Sequence, residues 1–190
     1  MAGVCALLTS GFDFSCPDSL ARKYYQEMVV INADDIDTTS VNKNIDPTIH
    51  NVSFSLKTGK TGYKFILPES GGSIFGTFDK TTNELTGGPQ YIHKMNYAVI
   101  GADEATKAIL RTLDKGSFIV AARVKGTSII EIFGIENGLV NADYTFDLVG
   151  GSGGSVMVLQ SLENAPETHI PFVYKSTDEI ADFDSSFSNI

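Results

Sequence analysis

Apolar and polar residues alternate with a period of two along most of the chain, a pattern typical of β-strands. Residues 52–67 alternate on both sides of a turn-forming sequence and predict a β-hairpin. Further strands are predicted at residues 26–32, 73–78, 90–100, 118–124, 130–134, 144–149, 156–162 and 170–174. The strands at 118–124 and 130–134 flank a glycine turn and predict a second hairpin.

One segment follows a helical period instead. Between residues 105 and 113, apolar side chains recur at intervals of three and four. Asp103 is a good helix N-cap, and Gly116 stands where a left-handed residue ends many helices. The pattern predicts one helix at about residues 103–114.

These elements predict a mainly β fold: an antiparallel β-sandwich or barrel with one packed α-helix and extended N- and C-terminal arms. The N-terminal arm is residues 1–25, where aromatic residues stand between turn formers, and the domain is residues 26–175. Residues 176–190 hold four acidic residues, no basic residues and only isolated bulky side chains. This composition predicts an acidic tail that orders only on a partner.

Composition and charge exclude several classes of protein. The chain has 190 residues, 42% hydrophobic and 19% charged, which excludes a wholly disordered protein. No apolar run approaches the roughly 20 residues of a membrane helix, so no membrane partner is expected. A net charge of -9 repels phosphates and disfavours a protein that reads DNA or RNA. The only two cysteines, Cys5 and Cys16, match no disulfide or zinc pattern and are expected to be reduced.

Candidate catalytic motifs fail on their sequence context. The glycine-rich sequence at 150–154 places Ser152 in a nucleophile-elbow pattern, but a predicted strand follows it where the elbow needs a helix. Residues 59–61 resemble the end of a phosphate-binding loop that lacks its first glycine. The sequence therefore predicts no enzyme and no cofactor.

Metal ligands are not grouped along the sequence. His50, His93 and His169 each lack a second ligand at short spacing, so hydrogen-bonded strand histidines are expected. The acidic residues at 34–37 lack the glycine and the distal glutamate of a calcium loop and predict a solvated loop. No metal site is expected.

The order of hairpin, long strand, helix, hairpin and terminal strand resembles a phage tail-tube (major tail) protein. Three short sequences are similar to structural proteins in tailed phages of gut bacteria: GFDFSC at 11–16, FGIENGL at 133–139 and LQSLENAP at 159–166. The likeness spans most of the chain and departs from the family most in the acidic tail after Lys175.

The resemblance implies a protomer that closes into a ring, expected to be hexameric, with rings stacked into a hollow tail tube. DNA would pass through this tube without binding specifically to its wall. It also implies a place in the virion tail after synthesis in the cytoplasm of the bacterial host, with other tail or neck proteins as neighbours. In this family a hairpin reaches the adjacent ring, and its candidates here are Lys57, Gly59, Lys60 and Gly62.

The acidity of the chain fits such a channel. Six copies would carry roughly -54 charges, and a lumen of that sign would keep passing DNA hydrated. Strands 90–100 and 118–125 are the candidate pair to line the channel. The alternative is that the charge only keeps a monomer soluble.

Aromatic residues near both ends of the chain are candidate contacts between subunits, because aromatic side chains dominate buried contact energy. They are Phe12, Phe14, Phe172, Tyr174, Phe183 and Phe187. The alternative for each is packing within its own protomer.

Two other functions stay open at this point. A head-to-tail connector ring or a capsid decoration protein would share the arms and the acidity, but would form a single ring or a surface cap. A soluble β-sandwich ligand-binding module would use the glycine loop at 150–154 as the rim of its site and would be a stable monomer.

Overall fold

The computed structural model describes residues 25–66, 74–83, 87–100, 103–144 and 154–187. These residues form strands β1 Tyr25–Asn32, β2 Asn42–Asp46, β3 Ile49–Ser53, β4 Tyr63–Ile66, β5 Phe75–Thr82, β6 Pro89–Ile100, β7 Phe118–Val124, β8 Ile130–Phe133, β9 Val140–Asn141, β10 Gly154–Gln160 and β11 Phe172–Tyr174. The helices are α1 Glu104–Leu113 and α2 Glu179–Asp184, and a short 3-10 turn spans Ala33–Asp35. The expected mainly β fold is confirmed.

Two sheets form the fold. The larger has seven strands in the order β2-β3-β11-β8-β7-β1-β4, and the smaller has four in the order β5-β6-β10-β9. Neighbouring strands in the described ranges run antiparallel except β3 and β11, which are parallel. The second predicted hairpin is confirmed, because β7 pairs directly with β8.

The central strands of the seven-stranded sheet are buried on both faces, which explains the continuous apolar run in β1. Met28 and Val30 face the four-stranded sheet and α1. Val29 and Ile31 face the opposite way, toward a second core cluster that includes Phe183 of the C-terminal segment. A strand covered on both sides loses the alternation of a half-exposed strand, since each of its side chains must be apolar. The fold therefore has three layers, with the large sheet in the middle.

Helix α1 forms where its period predicts. The Asp103 carboxylate accepts a hydrogen bond from the Thr106 backbone N–H at 2.8 Å and caps the first turn. Leu110 and Leu113 are buried against the cluster between the two sheets. The rest of α1 is largely exposed and includes Ile109.

The prediction of a hairpin at residues 52–67 is wrong. β3 pairs with β2 and β11, whereas β4 pairs with β1 at the far edge of the same sheet. The alternation located β4, but β3 ends at Ser53, so most of the alternating residues predicted for the first strand lie outside it. Alternation also carries no information about which strand each one pairs with. Residues 54–62 instead run across the sheet, where Leu56 bridges to Ile36.

The two strands expected to line a channel as a pair do not pair with each other. β6 belongs to the four-stranded sheet and β7 to the seven-stranded sheet. Met95 and Tyr97 of β6 pack in the same buried cluster as Val120 and Ala122 of β7. These faces of the two strands form protein core, so they are not channel wall. The predicted strand at 144–149 lies outside the described residues except for its first position.

The expected acidic tail is in large part an element of the core. Asp178 caps α2 through a hydrogen bond from the Ala181 N–H at 2.9 Å, and Phe183 and Phe187 are buried against the seven-stranded sheet. Phe183 lies on α2, whereas Phe187 follows the helix at φ 57, and its N–H donates to the Asp182 carbonyl at 2.6 Å. The prediction that residues 176–190 order only on a partner is therefore wrong for residues 176–187, and the domain extends past residue 175.

Candidate functional site

The outer edges of the two sheets differ in how they are protected. β2, at one edge of the larger sheet, carries the polar sequence NKNID, and β9, at one edge of the smaller sheet, has two residues. Short strands and charged side chains are the usual protection of an edge against pairing with another chain. The opposite edges, β4 and β5, also carry charged residues, Lys64 on β4 and Asp79 and Lys80 on β5. Each of these two edges nevertheless exposes two large apolar side chains, whereas β2 exposes one.

β4 is the edge of the larger sheet next to β1. Within the described ranges it pairs with β1 alone, so its other side presents backbone N–H and C=O groups. Tyr63 is 59% exposed and Ile66 is 64% exposed. A sheet edge that is open to pairing and carries large apolar side chains favours contact with another segment of protein.

A groove of about 820 Å³ lies between β4 and α1. Its apolar lining includes Val30, Tyr63, Phe65, Ile109, Leu113 and Phe118. Toward the C-terminal end of α1 it meets a smaller pocket that shares Phe118 with it and adds Arg111 and Lys115. The groove thus has an apolar floor, one exposed strand edge and a basic end.

β5 is the corresponding edge of the smaller sheet. It pairs with β6 along its length, and both Phe75 and Phe78 are largely exposed. Gly76 lies on the face opposite Phe75, where an added Cβ would be 2.4 Å from the Phe133 ring. Phe78 shares the face of Gly76, so that face is tightly packed at Gly76 and open at Phe78.

The structure places four of the six predicted subunit contacts inside the protomer. Phe172, Tyr174, Phe183 and Phe187 are all buried in the cluster beneath the C-terminal segment. Because their surface is used by their own chain, these four do not form the subunit contacts that we expected, and the alternative of packing within the protomer holds. Phe12 and Phe14 lie outside the described residues.

The predicted inter-ring hairpin is a loop held on its own chain. The Lys57 ammonium donates to the Asp34 carbonyl, and Lys60 lies 3.0 Å from the Asp35 carboxylate. The Gly62 N–H donates to the Ser186 carbonyl at 2.9 Å. Of the four predicted residues, Gly59 alone stands at an open turn, with φ +75 and no atom within 4 Å of an added Cβ. The expectation of a projecting hairpin is therefore wrong.

The same loop corrects the prediction of a solvated acidic loop at 34–37. Asp35 is buried, and its carboxylate accepts a hydrogen bond from the Asn32 amide at 2.8 Å. It also pairs with Lys60, as described above. One of the three acidic residues is thus an anchor for the neighbouring loop.

A buried polar network lies at the other side of the molecule, centred on His93. The ring Nδ1 accepts a hydrogen bond from the Gly134 N–H at 3.2 Å. Nε2 lies 2.9 Å from the His169 carbonyl oxygen and is therefore the donor nitrogen of a neutral ring. Burial disfavours the charged ring and lowers the pKa of His93 to about 4.

Glu167 is the second buried member of this network. Its carboxylate accepts hydrogen bonds from the N–H groups of Glu136 at 2.9 Å and Asn137 at 3.0 Å. Burial outweighs these bonds and raises the pKa of Glu167 to about 7. His93 and Glu167 together hold the turn at residues 134–138 from two sides.

Glu136, beside Glu167, is held ionised. Burial opposes its charge, but hydrogen bonds from Lys43, Thr168 and His169 outweigh that effect and lower its pKa to about 2. The Thr168 N–H donates to it at 2.6 Å, and His169 Nδ1 lies 2.8 Å away. The carboxylate joins β2 to the segment before β11.

The three histidines lie closer together than the sequence suggested. The rings of His50 and His169 are 6.1 Å apart, His50 stacks on Phe172 at 4.2 Å, and His93 bonds the His169 carbonyl. Their separations along the chain are too long for any local spacing to reveal this. Each is hydrogen-bonded, as expected, and the described part of the chain holds no group of three His, Cys, Asp or Glu residues suited to a metal ion.

The turn held by His93 depends on glycine at position 134. Gly134 has φ +76, and an added Cβ would lie 2.6 Å from Cγ of the buried Leu139. Gly126 has φ +73 but open space around it, which makes it a matched control. We expect Gly126→Ala to cost about 1–2 kcal/mol of unfolding free energy from backbone strain alone. Gly134→Ala should cost about 1–3 kcal/mol more from the added overlap.

Urea unfolding of the two glycine variants measures this difference. Equal losses in Gly134→Ala and Gly126→Ala would contradict the close packing of the 134–138 turn.

Comparison with protein families, with curated proteins and with solved structures finds no match to this chain. None of the helices in the described ranges has the length and apolar character needed to cross a membrane. The geometry defines a two-sheet β protein in which two sheet edges expose large apolar side chains and an apolar groove lies along one of them.

Proposed function

We propose that this chain is a virion structural protein that associates with copies of itself into rings, and that the rings stack as a tail tube. The observation that carries the proposal is the contrast between the sheet edges. β9 has only two residues and the mostly polar β2 exposes one large apolar side chain, Ile45. β4 and β5 each expose two such side chains, which are Tyr63, Ile66, Phe75 and Phe78.

Two unlike free edges favour a ring. β4 belongs to one sheet and β5 to the other, so a contact that uses both joins different surfaces of neighbouring copies. Such head-to-tail contacts close into a ring when the rotation between neighbours divides a full turn. Each copy then covers an edge that would otherwise invite uncontrolled pairing. The resemblance to tail-tube proteins supplies the stacking of rings and the passage of DNA.

The charge of the chain supports the same proposal. A net charge of -9 per copy gives a ring a strongly acidic surface that repels phosphates, so DNA would move through without being held. The partners are then further copies and other tail or neck proteins, and the place of the protein is the virion tail. In this proposal the chain has no catalytic role.

A soluble binding module is the second candidate, favoured by the groove between β4 and α1. Its volume of about 820 Å³ and its apolar lining suit a small apolar ligand or an extended peptide. The glycine loop at 150–154, which this alternative used as a rim, lies outside the described residues except for Gly154. A module of this kind would be a monomer at all working concentrations.

The test of the proposed function is the state of association of the purified chain. Sedimentation velocity at micromolar concentration and negative-stain images are expected to show rings and open-ended stacks. Isolated rings would favour a connector, and binding only to capsid surfaces a decoration protein. A single monomeric species under all conditions would overturn the proposal and leave the binding module.

A charge at the β4 edge should block association without unfolding the protein. Ile66→Lys places an ammonium group on an exposed position beside the free backbone, a natural device against edge pairing. Ile129→Lys makes the same change at an exposed turn between β7 and β8, away from the free edges, and is the control. We expect Ile66→Lys to sediment as a monomer and Ile129→Lys to associate like the wild type.

Unfolding curves of both lysine variants should match the wild type, because both side chains are exposed. Association of Ile66→Lys at wild-type concentration would show that the β4 edge is not a contact.

A further inference from the structure

We propose that the groove between β4 and α1 receives residues 11–16 of a neighbouring copy, added as an extended strand along the free edge of β4. This inference rests on the proposed function, since it names the segment that joins one copy to the next. Addition of a strand to an open edge supplies backbone hydrogen bonds, and the alternate side chains of that strand fill pockets beside the edge.

The groove has the shape and chemistry that such a strand needs. Its floor is apolar, with Phe65 packed partly into the core and Tyr63 on the same side of β4. Ile109 of α1 forms the opposite wall and is 50% exposed, which is high for an isoleucine beside an apolar groove. A strand lying here would cover Tyr63 and Ile109 together.

The sequence of residues 11–16 matches this groove. In GFDFSC, the aromatic residues Phe12 and Phe14 stand two apart, so both point to one side of an extended chain, while Asp13 points to the other. Two phenylalanine rings on one side suit an apolar floor. The segment contains no proline, so none of the alternate N–H groups that would face β4 is missing.

Charge gives the segment a direction. Asp13 points away from the groove, whereas Asp18 follows the segment by two residues and would approach Arg111 and Lys115 when the C-terminal end of the segment lies at that end of the groove. An acidic segment at a basic end is favoured at modest salt, and salt above about 0.5 M should weaken it.

Residues 1–24 join the described part of the chain at Tyr25, close to the β4 edge. Glu27 pairs with Ile66, so the start of β1 lies beside the end of β4. Even the nine or so residues between position 16 and Tyr25 span roughly 30 Å when extended, enough to cross to an adjacent copy. In the proposed ring the edge of one copy is completed by another, so the occupant is the neighbour's segment and not the chain's own.

Disulfide trapping tests this with cysteines the chain already has. Cys16 lies two residues from Phe14 and on the same side of an extended strand. The donor variant is Cys5→Ser, which keeps Cys16. The acceptor variant is Cys5→Ser with Cys16→Ser and Ile109→Cys, which places its only thiol in the groove wall. The control acceptor carries Thr81→Cys, at an exposed position of β5, in the same background.

Donor and acceptor chains with different tags are mixed at a concentration where the wild type associates, then oxidised and analysed on non-reducing gels. We expect a mixed disulfide dimer with the Ile109→Cys acceptor, on the order of tenfold more abundant than with the Thr81→Cys control. Phe14→Ser in the donor should reduce it to the control level, because the anchoring ring is lost.

Three results would overturn the inference. One is a mixed dimer no more abundant than with the control. Another is a dimer that Phe14→Ser leaves unchanged. The third is a disulfide found only within single chains when Cys16 and Ile109→Cys are combined, which would place the chain's own segment in the groove. Rings in the images without the mixed dimer would reject only the binding of residues 11–16 in the groove. Monomers in sedimentation would reject the proposed function as well.

Discussion

Replacing Phe183 by alanine is expected to cost about 3–5 kcal/mol of unfolding free energy, a large share of the stability of a domain of this size. The Phe183 side chain is 0% exposed and packs on the seven-stranded sheet. Lys64 Nζ lies 5.2 Å and the Arg123 guanidinium 5.4 Å from its ring centre. Alanine would leave a cavity and would remove both cation–π contacts.

The control for this variant is in the same helix. Ile180 is 40% exposed, so Ile180→Ala removes little buried area, and we expect a loss below about 1 kcal/mol. Urea unfolding of the full chain, with the midpoint and slope compared between the two variants, measures the difference. Equal small losses would mean that residues 176–187 contribute nothing to the core.

The same residues link the C-terminal segment to the edge that the proposed function uses. Lys64 of β4 lies 2.9 Å from Glu27 and 3.2 Å from Asp184, and Arg123 approaches the same two carboxylates. These four charged side chains link β4 and its neighbouring strands to Asp184 of α2. The C-terminal segment therefore fixes the position of the edge strand, so Phe183→Ala should weaken association as well as folding.

The strands and α1 were largely predictable from the sequence, because each rests on local periodicity. Alternation located β4, β6 and β7 within a few residues, and the capped helical period located α1. β2 was missed, because its polar sequence NKNID shows no apolar side for a sheet to bury. A strand can form there since β3 pairs with it through the backbone, whatever its side chains.

Pairing and long-range contacts were not predictable in the same way. β3 and β4 have adjacent alternating sequences but stand at different places in one sheet, and nothing local selects the partner. Glu167 and the turn at Glu136 are 31 residues apart, and His93 and His169 are 76 apart. The sequence did contain a signal for α2: an acidic N-cap followed by Ile180 and Phe183 at a spacing of three, which resembled a sparse tail because the helix has only six residues.

The buried network of His93 and Glu167 should make the unfolding free energy depend on pH, and the variant Glu167→Gln should reveal that dependence. An unfolded histidine titrates near pH 6.5, while burial lowers the pKa of His93 to about 4. Between these values the unfolded chain binds the extra proton, so His93 makes the protein more stable as pH rises from about 4 to 6.5. Glu167 acts in the opposite direction. Its pKa is raised from 4.5 to about 7, the folded state binds the extra proton, and stability falls as pH rises across that range.

In the wild type the two effects oppose each other between about pH 4.5 and 6.5, each with a slope of at most about 1.4 kcal/mol per pH unit. Glu167→Gln removes one of them and leaves the slope of His93. We expect the contribution of His93 to raise the unfolding free energy of Glu167→Gln by about 2 kcal/mol from pH 4.5 to 6.5, where the contribution of the His93 and Glu167 pair to the wild type is nearly flat. Glu136, with a pKa of about 2, stays ionised in the folded state over this range, and its protonation in the unfolded state is common to the proteins compared.

The matched control is Glu163→Gln, the same chemical change at an exposed position four residues away, which should keep the wild-type pH profile. Urea unfolding at several pH values measures all three proteins, and an NMR titration of the His93 ring in the wild type gives its pKa directly.

A wild-type His93 that titrates near 6.5 would contradict the buried neutral ring. Parallel pH profiles for Glu167→Gln and Glu163→Gln would show that Glu167 holds no extra proton in the folded state. Because the network anchors the 134–138 turn and not the β4 edge, neither outcome bears on how the copies join.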